Sequence, residues 1–148
     1  MDNSKKILFA ITTFNQSNIT RLCLDSLKLI TDEYDVIIVD DASTDDTIRL
    51  CVEHNIKYIT KETGLGLTDS WNKAYQYFKD NGYGYLIIAN NDILVPDKAL
   101  TEMANVLDYW PCSLVVPMML YKRLIIIMAQ MNMTIQIIME WYKNIYLI

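Results

Sequence analysis

The stretch Val36-Ile-Ile-Val-Asp-Asp-Ala-Ser-Thr-Asp-Asp-Thr47 decides the fold of this 148-residue chain. Its apolar residues are typical of a strand that is buried on both faces, and they end in two adjacent carboxylates, Asp40 and Asp41. In open α/β sheets, ligands bind in the crevice at the carboxyl ends of the strands. Asp40 or Asp41 is therefore predicted to hold a polar ligand. The alternative is that one of them caps the helix that follows, but Asp45 and Asp46 are better placed for capping.

Strand-like and helix-like segments alternate on both sides of this stretch, through residue 110. Short apolar runs predict strands at 7–12, 36–39, 57–60 and 85–89. Apolar residues at helical spacing predict helices between these strands, and a last helix over 96–110. In the first helix, the predicted inward face comprises Ile19, Leu22, Cys23, Ser26, Leu27 and Ile30. The alternation predicts right-handed βαβ units and an α/β fold with a largely parallel sheet.

The composition disfavours several classes of protein. The net charge of −5 and the lack of a basic stripe argue against a nucleic-acid-binding protein. Cys23, Cys51 and Cys112 lack the spacing of metal ligands and are predicted to be buried in a reducing compartment. The apolar segment near the N-terminus is too short for a signal peptide, so we expect a cytoplasmic protein.

The last part of the chain differs in character from the rest. Residues 114–148 contain no glycine, and the strongly apolar 16-residue run at 124–139 is interrupted by polar residues. A membrane-spanning helix needs ~20 mainly apolar residues, so a spanning segment is disfavoured. A segment that binds a membrane surface or a partner, and a tail altered by truncation or a frameshift, both remain open. We therefore divide the chain into a core at 1–117 and an atypical tail at 118–148.

A second polar cluster, Asn90-Asn91-Asp92, also follows a buried apolar strand. Mg²⁺ and Mn²⁺ prefer oxygen ligands, usually one or two carboxylates together with substrate phosphates. One carboxylate beside two carboxamides would hold such an ion only with a diphosphate completing the shell. An Asx-turn that leaves the strand is an equally good interpretation of the residues alone.

The loop that begins at Gly64 is weaker as a signal. Gly66 either allows the backbone to approach a ligand closely or is part of a loop that only connects two elements. No Walker motif follows it. Asn72, early in the next helix, either turns its amide toward the ligand edge of the sheet or is an ordinary exposed residue. The single histidine, His54, lacks the partners of a catalytic triad.

Four segments together resemble the nucleotide-binding half of the glycosyltransferase family 2 domain. They come in the order of that family, at its approximate spacing, and cover about residues 5–117. The segments are Ile11-Thr-Thr-Phe-Asn15, Val39-Asp-Asp-Ala-Ser-Thr-Asp-Asp-Thr47, Gly64-Leu-Gly-Leu-Thr-Asp-Ser-Trp-Asn72 and Leu86-Ile-Ile-Ala-Asn-Asn-Asp-Ile-Leu-Val-Pro96. The resemblance implies an inverting enzyme with a GT-A fold, a Rossmann-like three-layer sandwich, here apparently truncated.

The resemblance also implies roles for residues at the base end of a donor site. Thr12 and Phe14 belong to the loop after the first strand, which in this family contacts the nucleobase. Asp41, with Asp40 beside it, matches the aspartate that binds the base and ribose. Asn72 matches the asparagine that ends the Gly-rich segment containing Gly66, near the donor.

At the diphosphate end, Asn90-Asn91-Asp92 takes the place of the family's DxD motif. Asp92 is then the ligand of Mn²⁺ or Mg²⁺, with Asn90 and Asn91 beside the donor. Replacement of the first aspartate by Asn90 resembles rhamnosyltransferase-like members of the family.

The family's general base lies roughly a hundred residues after the DxD motif, in an acceptor-binding segment. Glu140 is the only acid after residue 110, and its surroundings lack the acceptor-site pattern, so no catalytic base is assigned. We expect a donor-binding half with an incomplete acceptor region, and feeble or no sugar transfer by this chain.

The expected function is binding of a nucleotide-diphospho-sugar with a divalent metal. Inverting transfer to a glycan or lipid-linked acceptor, as in polysaccharide biosynthesis, would follow in full-length relatives. The alternative is a catalytically incomplete binding or interaction module whose tail docks to a partner or a membrane. A nucleotidyltransferase ranks lower, because the loop at 12–17 has neither a glycine nor a basic residue to grip a triphosphate.

Overall fold

The computed structural model describes residues 6–109, 114–115 and 125–129. The strands are β1 (Ile7–Thr13), β2 (Tyr34–Asp40), β3 (Lys57–Thr60), β4 (Tyr85–Asn90), β5 (Leu114–Val115) and β6 (Ile125–Ala129). The helices are α1 (Ser17–Leu27), α2 (Thr47–Glu53), α3 (Leu67–Asp80) and α4 (Ala99–Tyr109). The four strands predicted from the sequence are confirmed, each with the same or slightly wider bounds.

The strands form one sheet in the order β3-β2-β1-β4-β6-β5. β1, β2, β3 and β4 are parallel, whereas β6 pairs antiparallel with β4 and with β5. The chain runs outward from β1 through β2 to β3 and then returns to place β4 on the other side of β1. Because the strand order reverses there, a ligand crevice is expected at the carboxyl ends of β1 and β4.

The core has one hydrophobic layer on each face of the sheet. Side chains alternate between faces along β1, so Phe9 joins one layer and Leu8 joins the other. Helices α1, α2 and α4 cover the first layer with Cys23, Leu24, Leu27, Leu50, Cys51, Leu100, Met103 and Leu107. Helix α3 covers the second with Trp71, Ala74 and Phe78. The chain is therefore the predicted α/β three-layer sandwich.

Two helices differ from the prediction in detail. In α1 the buried face starts at Thr20 and includes Leu24, because a polar network (below) draws Thr20 inward. Ile19 and Leu22, which were predicted to face inward, are 38% and 60% exposed. Helix α4 begins at Ala99 rather than at Pro96, since Lys98 adopts a left-handed φ of 65° that interrupts the helix.

The structure bears on two further predictions, the burial of the cysteines and the lack of a membrane-spanning helix. Cys23 and Cys51 are buried and free, and desolvation raises the pKa of each thiol to about 11. The predicted burial is therefore confirmed for these two, while Cys112 lies outside the described residues. Among the described helices, none has the length and apolar character needed to cross a membrane.

The proposed boundary at residue 117 stays a prediction. Strand β6 belongs to the tail segment and pairs with β4 from Ala89↔Ile125 to Tyr85↔Ala129. Most of the tail, including Glu140, lies outside the described residues.

Candidate functional site

A cleft of about 260 Å³ lies at the carboxyl ends of β1, β2 and β4. Its lining residues are Thr12, Thr13, Phe14, Gln16, Asp41, Leu67, Ser70, Asn90, Asn91 and Asp92. The structure thus brings together most of the residues predicted for the site. The remaining three, Asp40, Gly66 and Asn72, are not part of the lining.

The β1 side of the cleft is fixed by hydrogen bonds to neighbouring elements. The Thr12 hydroxyl is within 3.1 Å of Asn90 Oδ1 and 3.3 Å of the Ala89 carbonyl, so it ties β1 to the tip of β4. Beyond β1, Asn15 has a left-handed φ of 56°, and its amide donates to Ser43 Oγ at 2.7 Å. Phe14, which precedes this turn, is 59% exposed at the cleft, so its ring is available to a ligand.

The Asp41 carboxylate is held by three donor groups, one of which, the Gly66 amide, contacts both oxygens. Oδ1 accepts from Lys61 Nζ at 2.5 Å, from the Leu65 amide at 2.9 Å and from the Gly66 amide at 3.2 Å. Oδ2 accepts from the Gly66 amide at 3.0 Å. Desolvation favours the protonated form, but the donors at Lys61, Leu65 and Gly66 outweigh it and lower the pKa of Asp41. Asp41 is therefore ionised at neutral pH.

Lys61 is the residue at this site that the sequence analysis missed. Its side chain is 2% exposed, and Nζ reaches Ser70 Oγ at 2.9 Å, the Gly66 carbonyl at 3.1 Å and Asp69 Oδ2 at 3.2 Å, besides Asp41. It follows β3 directly, so the rule that picked out Asp41, a charged residue at a strand tip, would also have found Lys61.

Asp40 faces away from the cleft, because side chains alternate along a strand. It is fully buried and accepts from the Ser43 amide at 3.0 Å, from the Ser43 hydroxyl and from Thr60 Oγ1 at 2.9 Å. These contacts tie the β2–α2 loop to β3. The role of Asp40 in ligand binding stays a prediction, and its contacts do not favour that role.

Gly66 and Asn72 lie beside the cleft rather than in its lining. Gly66 has φ 82° and ψ 177°, a backbone region open essentially to glycine alone, and it turns its amide toward Asp41. Asn72 is exposed on α3. Gly66 therefore shapes the site through its backbone, and the role of Asn72 stays a prediction.

The tip of β4 is held from behind by a buried polar network. Asn91 is 9% exposed, and its Nδ2 donates to Thr20 Oγ1 at 2.9 Å. The Thr20 hydroxyl is also 3.3 Å from Thr13 Oγ1 and from the Gln16 carbonyl. Thr20 is a second residue missed from the sequence, because a threonine within an apolar helical face carries no sign of its partner 71 positions away.

The charge of the cleft limits what it can bind. Within the part of the chain that the structure describes, its lining carries two carboxylates, Asp41 and Asp92, and no lysine or arginine. Lys61 lies behind the lining, already paired with Asp41 and Asp69. Among the described residues, no group of three or more His, Cys, Asp or Glu side chains could hold a metal ion by itself. A phosphate-bearing ligand would therefore need to bring a cation with it.

Comparison with solved structures shows the same fold in two glycosyltransferases. S. aureus TarS 1–349 in complex with UDP-GlcNAc gives a TM-score of 0.63 at 21% identity, over 74% of this chain and 33% of that one. The same protein in complex with UDP gives 0.63 at 22% identity, over 74% and 34%. The mannosyltransferase PcManGT from Pyrobaculum calidifontis, in complex with GDP-Man and Mn²⁺, gives 0.54 at 20%, over 73% and 33%.

The chain spans about a third of the length of these structures. No curated protein sequence matches it. The sequence profile of "Glycosyl transferase family 2" matches residues 9–124, which is most of the chain and includes every residue of the cleft. The resemblance found in the four sequence segments is thereby confirmed, and the chain belongs to glycosyl transferase family 2.

Proposed function

We propose that this chain binds a nucleoside diphosphate-sugar, with the base at the Asp41 end of the cleft and the diphosphate at the Asp92 end. The observation that carries the proposal is the ionised Asp41 carboxylate, held by fixed donors in the lining of a cleft at the strand tips. An ionised carboxylate only accepts hydrogen bonds, so it favours a base whose ring N–H points at it and is repelled by the lone pair of an unprotonated ring nitrogen.

This chemistry divides the nucleobases into two groups. Uracil, thymine and guanine carry a ring N–H beside a carbonyl group, whereas adenine and cytosine present an unprotonated ring nitrogen at the same edge. The ligands in the similar structures, UDP-GlcNAc, UDP and GDP-Man, carry bases of the first group. Phe14, exposed at the same cleft, would supply a ring for the base to stack on.

A divalent cation fits the diphosphate end only as part of a ternary complex. Asp92 supplies one carboxylate to the lining, and the carboxamides of Asn90 and Asn91 lie beside it in the sequence and in the cleft. Mg²⁺ and Mn²⁺ are commonly held by one or two carboxylates plus substrate phosphates, so the donor would complete the shell. When bound, the ion would offset the charge of the leaving diphosphate.

For full-length relatives of this chain, the proposal includes sugar transfer. In it, an acceptor hydroxyl of a glycan or a lipid-linked sugar attacks the anomeric carbon with inversion, as in polysaccharide biosynthesis on the cytoplasmic side. The tail at 118–148 would contact an acceptor, a partner or a membrane surface. Within the described residues, the cleft offers only Asp41 and Asp92 as carboxylates, and both have donor-side roles. We therefore expect donor binding without ordinary turnover, ~1 s⁻¹ or more.

The test is a binding panel of UDP, dTDP, GDP, CDP and ADP, each with and without Mn²⁺ or Mg²⁺, by calorimetry and thermal shift. We expect metal-dependent binding of UDP, dTDP or GDP and at least ~10-fold weaker binding of CDP and ADP. Asp41→Ala should abolish the preference among bases, and Asp92→Asn should abolish the metal dependence.

The matched control is Asp80→Ala, which removes an exposed aspartate at the end of α3, outside the cleft. It should leave every affinity unchanged. Binding of all five nucleotides with equal affinity, or of none, would contradict the proposal. Transfer from the preferred donor at ordinary rates would contradict the expected lack of turnover and leave the donor assignment intact.

A further inference from the structure

Lys61 combines deep burial with contacts to three separate parts of the molecule. Its side chain is 2% exposed, and its ammonium group touches the end of β2 through Asp41, the loop before α3 through the Gly66 carbonyl, and the first turn of α3 through Asp69 and Ser70. Lysine is rarely buried this deeply unless it is paired. Two of its partners, Asp41 and Ser70, line the cleft, so the ammonium lies directly behind the base end of the proposed site.

The hydrogen-bond donors around Asp41 are distributed unequally between its two carboxylate oxygens. Among the described residues, Oδ1 accepts from Lys61 Nζ at 2.5 Å and from the Leu65 amide at 2.9 Å. The single N–H of Gly66 is shared between the two oxygens, at 3.2 Å from Oδ1 and 3.0 Å from Oδ2, and is the only donor that Oδ2 receives from them. Since each carboxylate oxygen has about two lone-pair sites, Oδ1 is saturated and Oδ2 keeps capacity for one more donor.

We propose that Lys61 is a positioning residue, which fixes the Asp41 carboxylate so that Oδ2 is the one acceptor left for the N–H of the donor base. This inference rests on the proposed function. Lys61 acts through Asp41 and does not touch the ligand. It holds Oδ1 and keeps the carboxylate charged, and its bonds to Gly66 and Ser70 place the loop amides that lock the same carboxylate from the other side.

A merely structural lysine would produce a different result. If Lys61 only offset the charges of Asp41 and Asp69, its loss would weaken folding and lower the affinity for every nucleotide alike. A positioning lysine also sets how strongly the protein senses the N–H of the base, because an unfixed carboxylate turns to other partners or water at little cost. The discriminating quantity is therefore a ratio of affinities.

The experiment compares UDP with N3-methyl-UDP, or GDP with N1-methyl-GDP if the panel selects guanine. Each pair differs by the single N–H that Asp41 would accept. Calorimetry with the 148-residue chain and Mn²⁺ gives the ratio of dissociation constants, methylated over unmethylated. We expect a ratio of at least ~10 for the wild-type chain and below ~3 for Lys61→Met.

Two further variants make the result specific. Lys61→Arg keeps a buried cation and should retain most of the wild-type ratio. Lys57→Met removes an exposed lysine at the start of β3, whose Nζ lies 3.4 Å from Tyr77 Oη, and should leave the ratio unchanged. If Lys61→Met does not fold, Lys61→Met/Asp69→Asn leaves one acid instead of two and is expected to give the same low ratio.

The outcomes separate the two proposals. A wild-type chain that binds none of the nucleotides overturns the proposed function, and this inference with it. A wild-type chain that rejects the methylated base, together with an equal ratio in Lys61→Met or the double variant, overturns the inference alone. A ratio that falls in Lys61→Met and is restored in Lys61→Arg supports it.

Discussion

The two ends of the cleft are built in opposite ways. At the β2 end, Asp41 is held by a buried lysine and two backbone amides, and its partners come from the residues that follow β3. At the β4 end, the turn is held from behind, where Asn91 reaches the Thr20 hydroxyl, and the lining offers the half-buried carboxylate of Asp92. The β2 end already presents an ordered hydrogen-bond acceptor, the Asp41 carboxylate. The β4 end needs further oxygen ligands before it can hold a cation.

This difference indicates that the part of a site that recognises a base and the part that binds a metal need not be equally ordered before the ligand arrives. Under the proposed function, fixed donors would make the Asp41 end selective without any ligand present, because the cost of ordering the carboxylate is met during folding. Among the described residues, the Asp92 end has too few carboxylates to hold a metal ion alone. Its cation would therefore arrive with the diphosphate, so that the donor is sensed by its base and its charge together.

The largest expected effect is the loss of unfolding free energy when Lys61, which holds Asp41, is replaced. Lys61→Met leaves two acids, Asp41 and Asp69, beside an apolar side chain, and removing one partner of a buried ion pair costs about 3–5 kcal/mol of unfolding free energy. Urea denaturation of the 148-residue chain measures this loss. Lys57→Met, at an exposed position in β3, the strand that Lys61 follows, should change the value by no more than about 0.5 kcal/mol. Equal losses in the two variants would show that the buried cluster adds no stability.

The second effect concerns the Asp92 end and the order of binding. We expect Mn²⁺ alone to bind weakly, and UDP or GDP and Mn²⁺ together to enhance each other's affinity ~10-fold or more. Asp92→Asn should remove this enhancement and leave the preference among bases unchanged. Calorimetric titration of Mn²⁺ with and without the nucleotide measures the coupling. Tight binding of Mn²⁺ in the absence of nucleotide would contradict the idea that this end is incomplete.

The third effect is smaller and tests the support behind the β4 tip. Thr20→Val keeps the shape of the side chain but removes the hydroxyl that accepts from Asn91, at a cost of about 1–2 kcal/mol. Because the network lies behind Asn91, the coupling between metal and nucleotide should weaken while discrimination against a methylated base persists. The control is Ser26→Ala, which removes a hydroxyl of the same helix that donates to the Cys23 carbonyl. A loss of base discrimination in Thr20→Val would show that the two ends are not independent.

The residues themselves explain which parts of this architecture could be predicted. Apolar runs such as 36–39 predicted the strands, and the reversal of strand order then brought Asp41 and Asn90 to one edge. Asp41 lines the cleft and Asp40 does not, because neighbouring side chains point to opposite sides of a strand. Which of the two points to the cleft depends on how the helices cover the sheet, and the local sequence does not show this. Lys61 was predictable by the rule that picked out Asp41, because it directly follows a strand. Thr20 was not, because its role comes from a partner 71 positions away, and a local pattern does not report such a contact.

The smallest effect is a dependence of stability on pH that belongs to Asp41. Burial alone would raise the pKa of its carboxyl group, but the donors from Lys61, Leu65 and Gly66 lower it below the ordinary value of 3.8. A carboxyl with a lowered pKa in the folded state contributes stability that is present in full above its unfolded pKa. That contribution is lost as the pH falls through the lower pKa of the folded chain.

Urea denaturation between pH 3 and pH 6 therefore isolates this contribution when wild type is compared with Asp41→Asn, since an amide does not titrate. Several other acids lose stabilising contacts in acid, so both chains should weaken as the pH falls below about 4. The wild type should weaken more steeply, and the gap between the two curves should narrow toward the acid side. Parallel curves over the whole range would mean that the donors around Asp41 do not favour its charged form, and the selective end of the cleft would then need another cause.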